Sequence, residues 1–196
     1  SADTCLEWVD PVPEITDETS VCVKDLAVVD YVEIGKDLND HSGNQSLVQG
    51  SGNTASGENS YTQGQNNIAS SNNARAQGFG NTASGQNTSA SGNSTIASGE
   101  RSSSSGLSTE ASGDQASASG NLSVASGINS SASGSSTEAS GNNSSASGLS
   151  SIASGVNSSA YGERTVASGI NSSASGWRTI ASGRGATVRS PYADEL

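Results

Sequence analysis

Glycine recurs every seventh residue from Gly43 to Gly183, and one of the twenty-one positions, Ser71, is missed. Two residues before nearly every glycine sits an alanine, at Ala55, Ala69, Ala76, Ala83, Ala90 and Ala97 and again from Ala111 to Ala181. A period this strict means one structural unit stacked on itself many times. Composition alone points elsewhere, because a Ser-, Gly- and Asn-rich chain with 31% hydrophobic residues has the make-up of a flexible linker. A linker has no reason to hold glycine in phase, so the chain is read as an ordered array.

Seven residues suit one short strand and a turn. Side chains alternate along a strand, so the residues two and four before each glycine share a face. Those positions hold Ala and Ser or Thr, as in Thr95 with Ala97 and Ser144 with Ala146. Small inward residues give a thin core, glycine serves the strained corner, and inward hydroxyls are placed to satisfy backbone groups there. Units alternate between the type Asn129 to Gly134 and the type Ser151 to Gly155, so the full period is fourteen. The expected fold is an all-β parallel β-solenoid of about ten 14-residue coils, roughly 48 Å long. A coiled coil needs two apolar positions per seven, and collagen needs glycine every third residue, so neither pattern fits.

Such a coil has two different outer faces. One carries the serine pairs Ser89/Ser91, Ser103/Ser105, Ser117/Ser119, Ser131/Ser133, Ser145/Ser147 and Ser173/Ser175, broken by Tyr161 beside Ser159. The rival face carries Thr54, Ile68, Thr82, Ile96, Val124, Ile152, Val166 and Ile180, interrupted by Glu110 and Glu138. The serine face is expected to be a uniform hydroxyl ladder, the flatter and uncharged candidate for binding a repetitive surface. Leu107, Ile128, Leu149, Val156, Ile170 and Trp177 follow glycines and read as exposed corner residues or as a strip for self-assembly.

Solenoid ends need covering, since an open edge pairs with another chain. We read residues 1–42 as an N-terminal capping segment, 43–183 as the array and 184–196 as a C-terminal cap or tail, with Val188, Pro191, Tyr192 and nearby Trp177 closing that end. Whether 25–34 is strand or helix is open from its apolar spacing. Cys5 and Cys22 lie in the first segment and are best read as a disulfide stapling that cap, worth about 3 kcal/mol, in a secreted, extracellular protein; two reduced buried thiols are the alternative. Neither a signal peptide nor a membrane span is visible in these residues.

Residues 1–40 carry eleven Asp or Glu against Lys24 and Lys36, whereas Gly43 to Gly183 carries six acidic and four basic residues. That balance argues against nucleic acid or an anionic membrane as partner. No enzyme is expected. His41, the one histidine, has nothing local to complete a triad, and the serines lack an activating base. No cofactor or metal is expected, because ligand sets for zinc, the Asp-bearing nine-residue calcium repeat and the dinucleotide glycine motif are all missing. Nine Asn-x-Ser/Thr sequons start at Asn44, Asn87, Asn93, Asn121, Asn129, Asn142, Asn143, Asn157 and Asn171; their spacing follows the fourteen-residue period, and Asn tolerates left-handed corners.

The unit Gly-x-x-Ser-x-Ala-x-Gly, running through Gly78 to Gly183, resembles the head repeat of YadA-type trimeric autotransporter adhesins. The resemblance implies a left-handed parallel β-roll in which three chains pack side by side. The residue before the glycine, usually apolar in that family, is Ser almost throughout this chain, and no heptad stalk or anchor is visible. The same spacing is similar to the β-roll of ryegrass-type ice-binding proteins, which implies a capped monomer presenting short side chains. The first functional expectation is therefore ice binding by a monomer through the serine ladder, with hydroxyls about 4.8 Å apart along the rod and roughly 7 Å across each pair. The alternative is an adhesin head or surface-fibre subunit, a homotrimer joined through the apolar residues of the rival face.

Overall fold

Each period folds as a five-residue strand, a corner, a two-residue strand and a second corner, as in Ser89–Asn93 followed by Ile96–Ala97. The computed structural model describes residues 31–34 and 39–190. Its long strands form a twelve-stranded parallel sheet running from Tyr31–Ile34 to Thr187–Arg189. The short strands form a second, ten-stranded parallel sheet from Thr54–Ala55 to Ile180–Ala181. Within the array each strand pairs with its counterpart fourteen residues on, as Ser89 with Ser103 and Ser103 with Ser117. The chain is thus an all-β parallel solenoid of about ten coils, with no helix among the described residues.

The pairing extends past both ends of the expected array. Tyr31–Ile34 is a strand lying against Ser46–Gln49, and Thr187–Arg189 lies against Ser173–Ser175. The first coil is one residue longer than the rest, since Tyr31 pairs with Ser46 while Asp40 bridges Thr54. Val188 is half-buried against the alanine core, and Trp177 is 45% exposed. Cys5, Cys22, Pro191 and Tyr192 lie outside the described residues, and with them the disulfide-stapled cap.

Apart from Val48, every buried apolar residue among the described residues is alanine. Burying a methyl group contributes only about 0.8 kcal/mol. Cohesion therefore rests mainly on the hydrogen bonds between coils and on very close backbone contact. Close contact explains the seven-residue glycine, which proves to be two glycines with different jobs. The one ending the long strand, such as Gly120 (φ +108), takes a backbone conformation that L-residues avoid. The one after the short strand, such as Gly155, has no positive φ, but a Cβ there would sit 2.1 Å from the carbonyl oxygen of Gly169 in the next coil. Both kinds lie over backbone of the following coil, and Gly183, at the end of the array, has only the Ala186 Cβ nearby at 3.7 Å.

The left-handed corners expected at glycine fall mostly on other residues. Gln45, Asn59, Asn73, Asn87, Asn129, Asn143, Asn157 and Asn171 line one edge with φ between 54° and 58°. Asn66, Ser94, Ser108, Leu122, Ser136, Ser150, Arg164 and Arg178 line the other with φ of 51° to 56°. Each corner is tied to the coil before it, as Asn143 N–H to Ile128 O at 2.8 Å. The asparagines behave as read from sequence, because their side chains suit this region.

Inside, the residue four before the second glycine forms a polar column. At its N-terminal end stands an asparagine ladder that the periodicity alone does not reveal. The Asn67 amide donates to Asn53 Oδ1 (3.0 Å), Gln63 O (2.9 Å) and Gly78 O (2.8 Å), and its Oδ1 accepts from the backbone and side chain of Asn81. The ladder passes to Thr95, whose hydroxyl donates to Asn81 Oδ1 at 2.7 Å. Further along, Ser123 and Ser151 donate to Gly134 O and Gly162 O in the same way. The other inner column is less well satisfied. Thr88 bonds to Gly85 O at 2.7 Å, but the buried hydroxyls of Ser102, Ser130, Ser144, Ser158 and Ser172 have no protein partner. Inward hydroxyls therefore reach a backbone carbonyl at Thr88, Ser123 and Ser151 and not at every corner: Thr137 and Thr165 of the first column donate to Ser123 and Ser151 instead, and the buried Thr179 hydroxyl has no protein partner.

Two stability tests follow from this packing, both read by thermal or urea unfolding. Gly155→Ala must displace a backbone carbonyl and should cost at least about 2 kcal/mol, whereas Gly183→Ala should stay within about 0.5 kcal/mol of the parent. Asn67→Ala leaves buried partners unpaired and should cost about 2–4 kcal/mol. Ser144→Ala, at a column already filled by Ala74 and Ala116, removes an unpaired hydroxyl and should be neutral or stabilising by up to about 1 kcal/mol.

Candidate binding surfaces

The twelve candidate serines do form one regular face. Residues of each pair point outward from the long strands around a buried alanine (Ser104 in the Ser103/Ser105 pair), and each stands in register with the next coil, as Ser131 with Ser145 and Ser133 with Ser147. Tyr161, 44% exposed, replaces one hydroxyl between Ser147 and Ser175. The ladder therefore runs without a break from Ser89 to Ser147.

The expected uniformity of that ladder needs correction, because its hydroxyls are not presented equally. Ser103, Ser117, Ser131 and Ser133 are exposed, whereas Ser91, Ser105 and Ser119 are only half-exposed, as are Ser89, Ser145, Ser147, Ser173 and Ser175. Register does not separate the two classes: Ser105 between Ser91 and Ser119 is half-exposed, whereas Ser133 between Ser119 and Ser147 is exposed. Only in the coil of Ser131 and Ser133 are both hydroxyls of a pair fully open to solvent.

Before Ser89 the same face is different. Gln63 Nε2 donates to Gln49 Oε1 at 3.0 Å, Gln77 Nε2 donates to Gln63 Oε1 at 3.3 Å, and Tyr61 OH donates to Gln63 Oε1 at 2.9 Å. The Arg75 guanidinium lies over the Tyr61 ring, 5.5 Å from its centroid. A second ladder, of amides, thus covers the first three coils. Its signal was present in the sequence as glutamine at a spacing of fourteen, masked by the surrounding glutamine and asparagine.

The rival face carries Thr54, Thr82, Ile96, Val124, Ile152, Val166 and Ile180 outward from the short strands, with Ile68. Thr and Ile alternate at first, then Glu110, Val124 and Glu138 alternate charge with an apolar group. Only Ile152, Val166 and Ile180 stack as three consecutive apolar residues. This face is continuous only in its C-terminal third.

The apolar residues that follow glycines belong to two separate edges. Leu107, Leu149 and Trp177 end long strands, joined by Phe79 and Leu122, and are 45–55% exposed. Ile128, Val156 and Ile170 lie on the opposite edge beside the asparagine corners, 43–48% exposed. That second edge is polar or acidic in the N-terminal half, with Glu58, Glu100 and Asp114, and carries Ile128, Val156 and Ile170 further on, with Asn142 between the first two. Apolar surface therefore gathers on two adjoining sides of the C-terminal half. Sequons such as Asn143-Ser-Ser145 are accounted for by the coil itself: Asn turns the corner, the first Ser packs inward and the second points outward.

Charge contributes little to the middle of the rod. The ion pair between described residues is Arg101 with Glu100 at 3.3 Å, both well exposed and worth well under about 1 kcal/mol. His41 is half-buried where the array begins. No helix among the described residues is long and apolar enough to cross a membrane.

Residues 83–188 match the family model of the YadA head domain repeat (2 copies), in overlapping segments from 83–109 to 167–188. The matched stretch is more than half of the 196-residue chain. The chain belongs to the YadA head-repeat family. No curated protein matches it. The match begins at Ala83, close to where the glutamine ladder gives way to serine, so the family pattern and the hydroxyl face occupy nearly the same coils. Family membership favours the adhesin reading and lends none to ice binding, which is the reverse of the order expected from the serine face alone.

Leu122 is exposed and sits at a left-handed corner where its neighbours are Ser108 and Ser136. Leu122→Asn should raise stability by about 0.5–1 kcal/mol, as measured by chemical denaturation, because asparagine adopts that backbone at lower cost.

Proposed function

We propose that this chain is the non-catalytic head of an extracellular adhesin, wound left-handed as in its family, in which three copies pack through the short-strand face. The family match carries the reading. The apolar stack Ile152, Val166 and Ile180 gives it a place to act on this chain. In such an assembly the serine face points away from the partner chains and meets the target surface. Many equivalent weak contacts along three rods then add up by avidity rather than by any single strong site. The cap of residues 1–42, closed by Cys5 and Cys22, would protect the N-terminal edge from pairing with other chains.

Size decides how the chains must meet. A face about 48 Å long and about 10 Å wide offers on the order of 500 Å² per chain. Stable interfaces bury about 800 Å² per partner. The short-strand face alone falls short, and the adjoining edge with Ile128, Val156 and Ile170 supplies the remaining apolar surface. Glu138 stands in register with Ile152 on this face, so its carboxylate must stay at the rim of the contact, since burying its charge would be costly.

Light scattering on the purified chain should give about three times the 19.3 kDa chain mass. Replacing Ile152 and Val166 together by Asp should yield a folded monomer. A monomeric parent, or a double variant of unchanged mass, would overturn the reading. Shaping of ice crystals by the monomer would restore ice binding in its place.

A further inference from the structure

The array is almost neutral as a whole, but its last two coils are not. Residues 163–190 hold Arg164, Arg178, Arg184 and Arg189, half of the chain's eight Lys and Arg, against the single acid Glu163. The formal sum there is +3, and +1 when Asp194 and Glu195, which follow outside the described residues, are included. The acidic stretch before Tyr31 precedes the strand at the opposite end of the twelve-stranded sheet. That end lies about 50 Å away. Charges are screened over about 8 Å at physiological salt, so a ligand at the C-terminal coils meets local positive charge and not the overall −11.

Arg164 and Arg178 occupy the same corner of successive coils. Glu163 pairs with Trp177 in the sheet, and Arg178 N–H bonds to Glu163 O at 2.9 Å, which stacks the two arginines about one strand spacing apart. Both have left-handed backbones, with φ of 54° and 51°. Elsewhere this column holds Asn66, Ser94, Ser108, Leu122, Ser136 and Ser150, so the backbone does not require arginine here. Neither forms an ion pair among the described residues, although like charges so close repel each other. Trp177, 45% exposed, precedes Arg178 on the same edge and has the Arg178 guanidinium 4.3 Å from its ring centroid. That stacking holds one guanidinium in place before any ligand arrives.

We propose that Arg164, Trp177 and Arg178 bind a sulfated polysaccharide. A guanidinium fork matches two oxygens of a sulfate or carboxylate, and two forks one coil apart match anionic groups repeated along a chain. The exposed part of the indole offers an apolar surface to the C–H face of a sugar ring. A nucleic acid would need cations tracking its backbone and several stacking rings, whereas here the charge is confined to two coils with one aromatic. The site lies on the edge formed at the end of the long strands, away from Ile128, Val156 and Ile170, so it does not depend on the chains associating.

The test is fluorescence anisotropy of a labelled heparin octasaccharide with the full chain at about 0.15 M salt. Arg164→Ser with Arg178→Ser should weaken binding by about tenfold or more. Trp177→Ala should weaken it by about threefold, while Arg75→Ser leaves it unchanged. Serine already fills this corner at Ser136 and Ser150, so the double variant keeps its fold, which a circular dichroism melt verifies. Absence of octasaccharide binding by the parent, or undiminished binding by the folded double variant, overturns the proposal. Tighter binding of a short DNA duplex than of the octasaccharide also overturns it and assigns the arginines to nucleic acid.

Discussion

Backbone contact between successive coils governs this molecule. Glycine carbonyls of one coil occupy the space where a Cβ of the previous coil would stand, as Gly155 O does above Gly141. Nothing larger than hydrogen fits at these glycines, so glycine recurs in phase along the stack, with Ser71 the one exception. With the coils held this close, the interior has room only for alanine and small polar groups. The same contact fixes the fourteen-residue register, which brings every outward side chain beside its own counterpart. Core, corners and faces all follow from one steric condition.

Much of this was legible in the sequence because a steric condition leaves a periodic trace. Thr95 and Ala97, and Ser144 and Ala146, are buried as the alternation required. Asparagine marked one line of left-handed corners. The double role of glycine was hidden, because Gly148 (φ +116) and Gly155 look alike as letters while only one needs an unusual torsion. The asparagine ladder at Asn53, Asn67 and Asn81 was hidden for a different reason. Asparagine also serves the outer corners, so composition does not separate an inward amide from an exposed one. The serine pairs were visible as letters, but the unequal exposure of Ser103 and Ser105 left no trace there, because each stands between serines of the neighbouring coils.

Function was harder to read than fold, and the reason is visible on the surface. Outward positions carry Ser, Thr, Ile, Val, Glu, Tyr, Gln and Arg without disturbing the coil, since little in the steric condition reaches them. The fold therefore limits these residues weakly, and their pattern reports selection by whatever the rod meets. Hydroxyl regularity alone suggested a crystalline target. The distribution of apolar groups, which gather on two adjoining sides from Val124 onward, suggested other copies of the chain once the edges were resolved. Only the three-dimensional placement of Ile128 apart from Leu149 made that distinction available.

The alanine interior has a thermal consequence. Heat capacity rises on unfolding chiefly through hydration of apolar surface and falls through hydration of polar surface. A core of methyl groups and hydroxyls exposes little of the first and much of the second. Stability of this rod should vary gently from the cold to the heat, with a broad, shallow maximum rather than the steep dome of a protein built on leucine and phenylalanine. A fibre exposed to changing surroundings would keep its stiffness across that range.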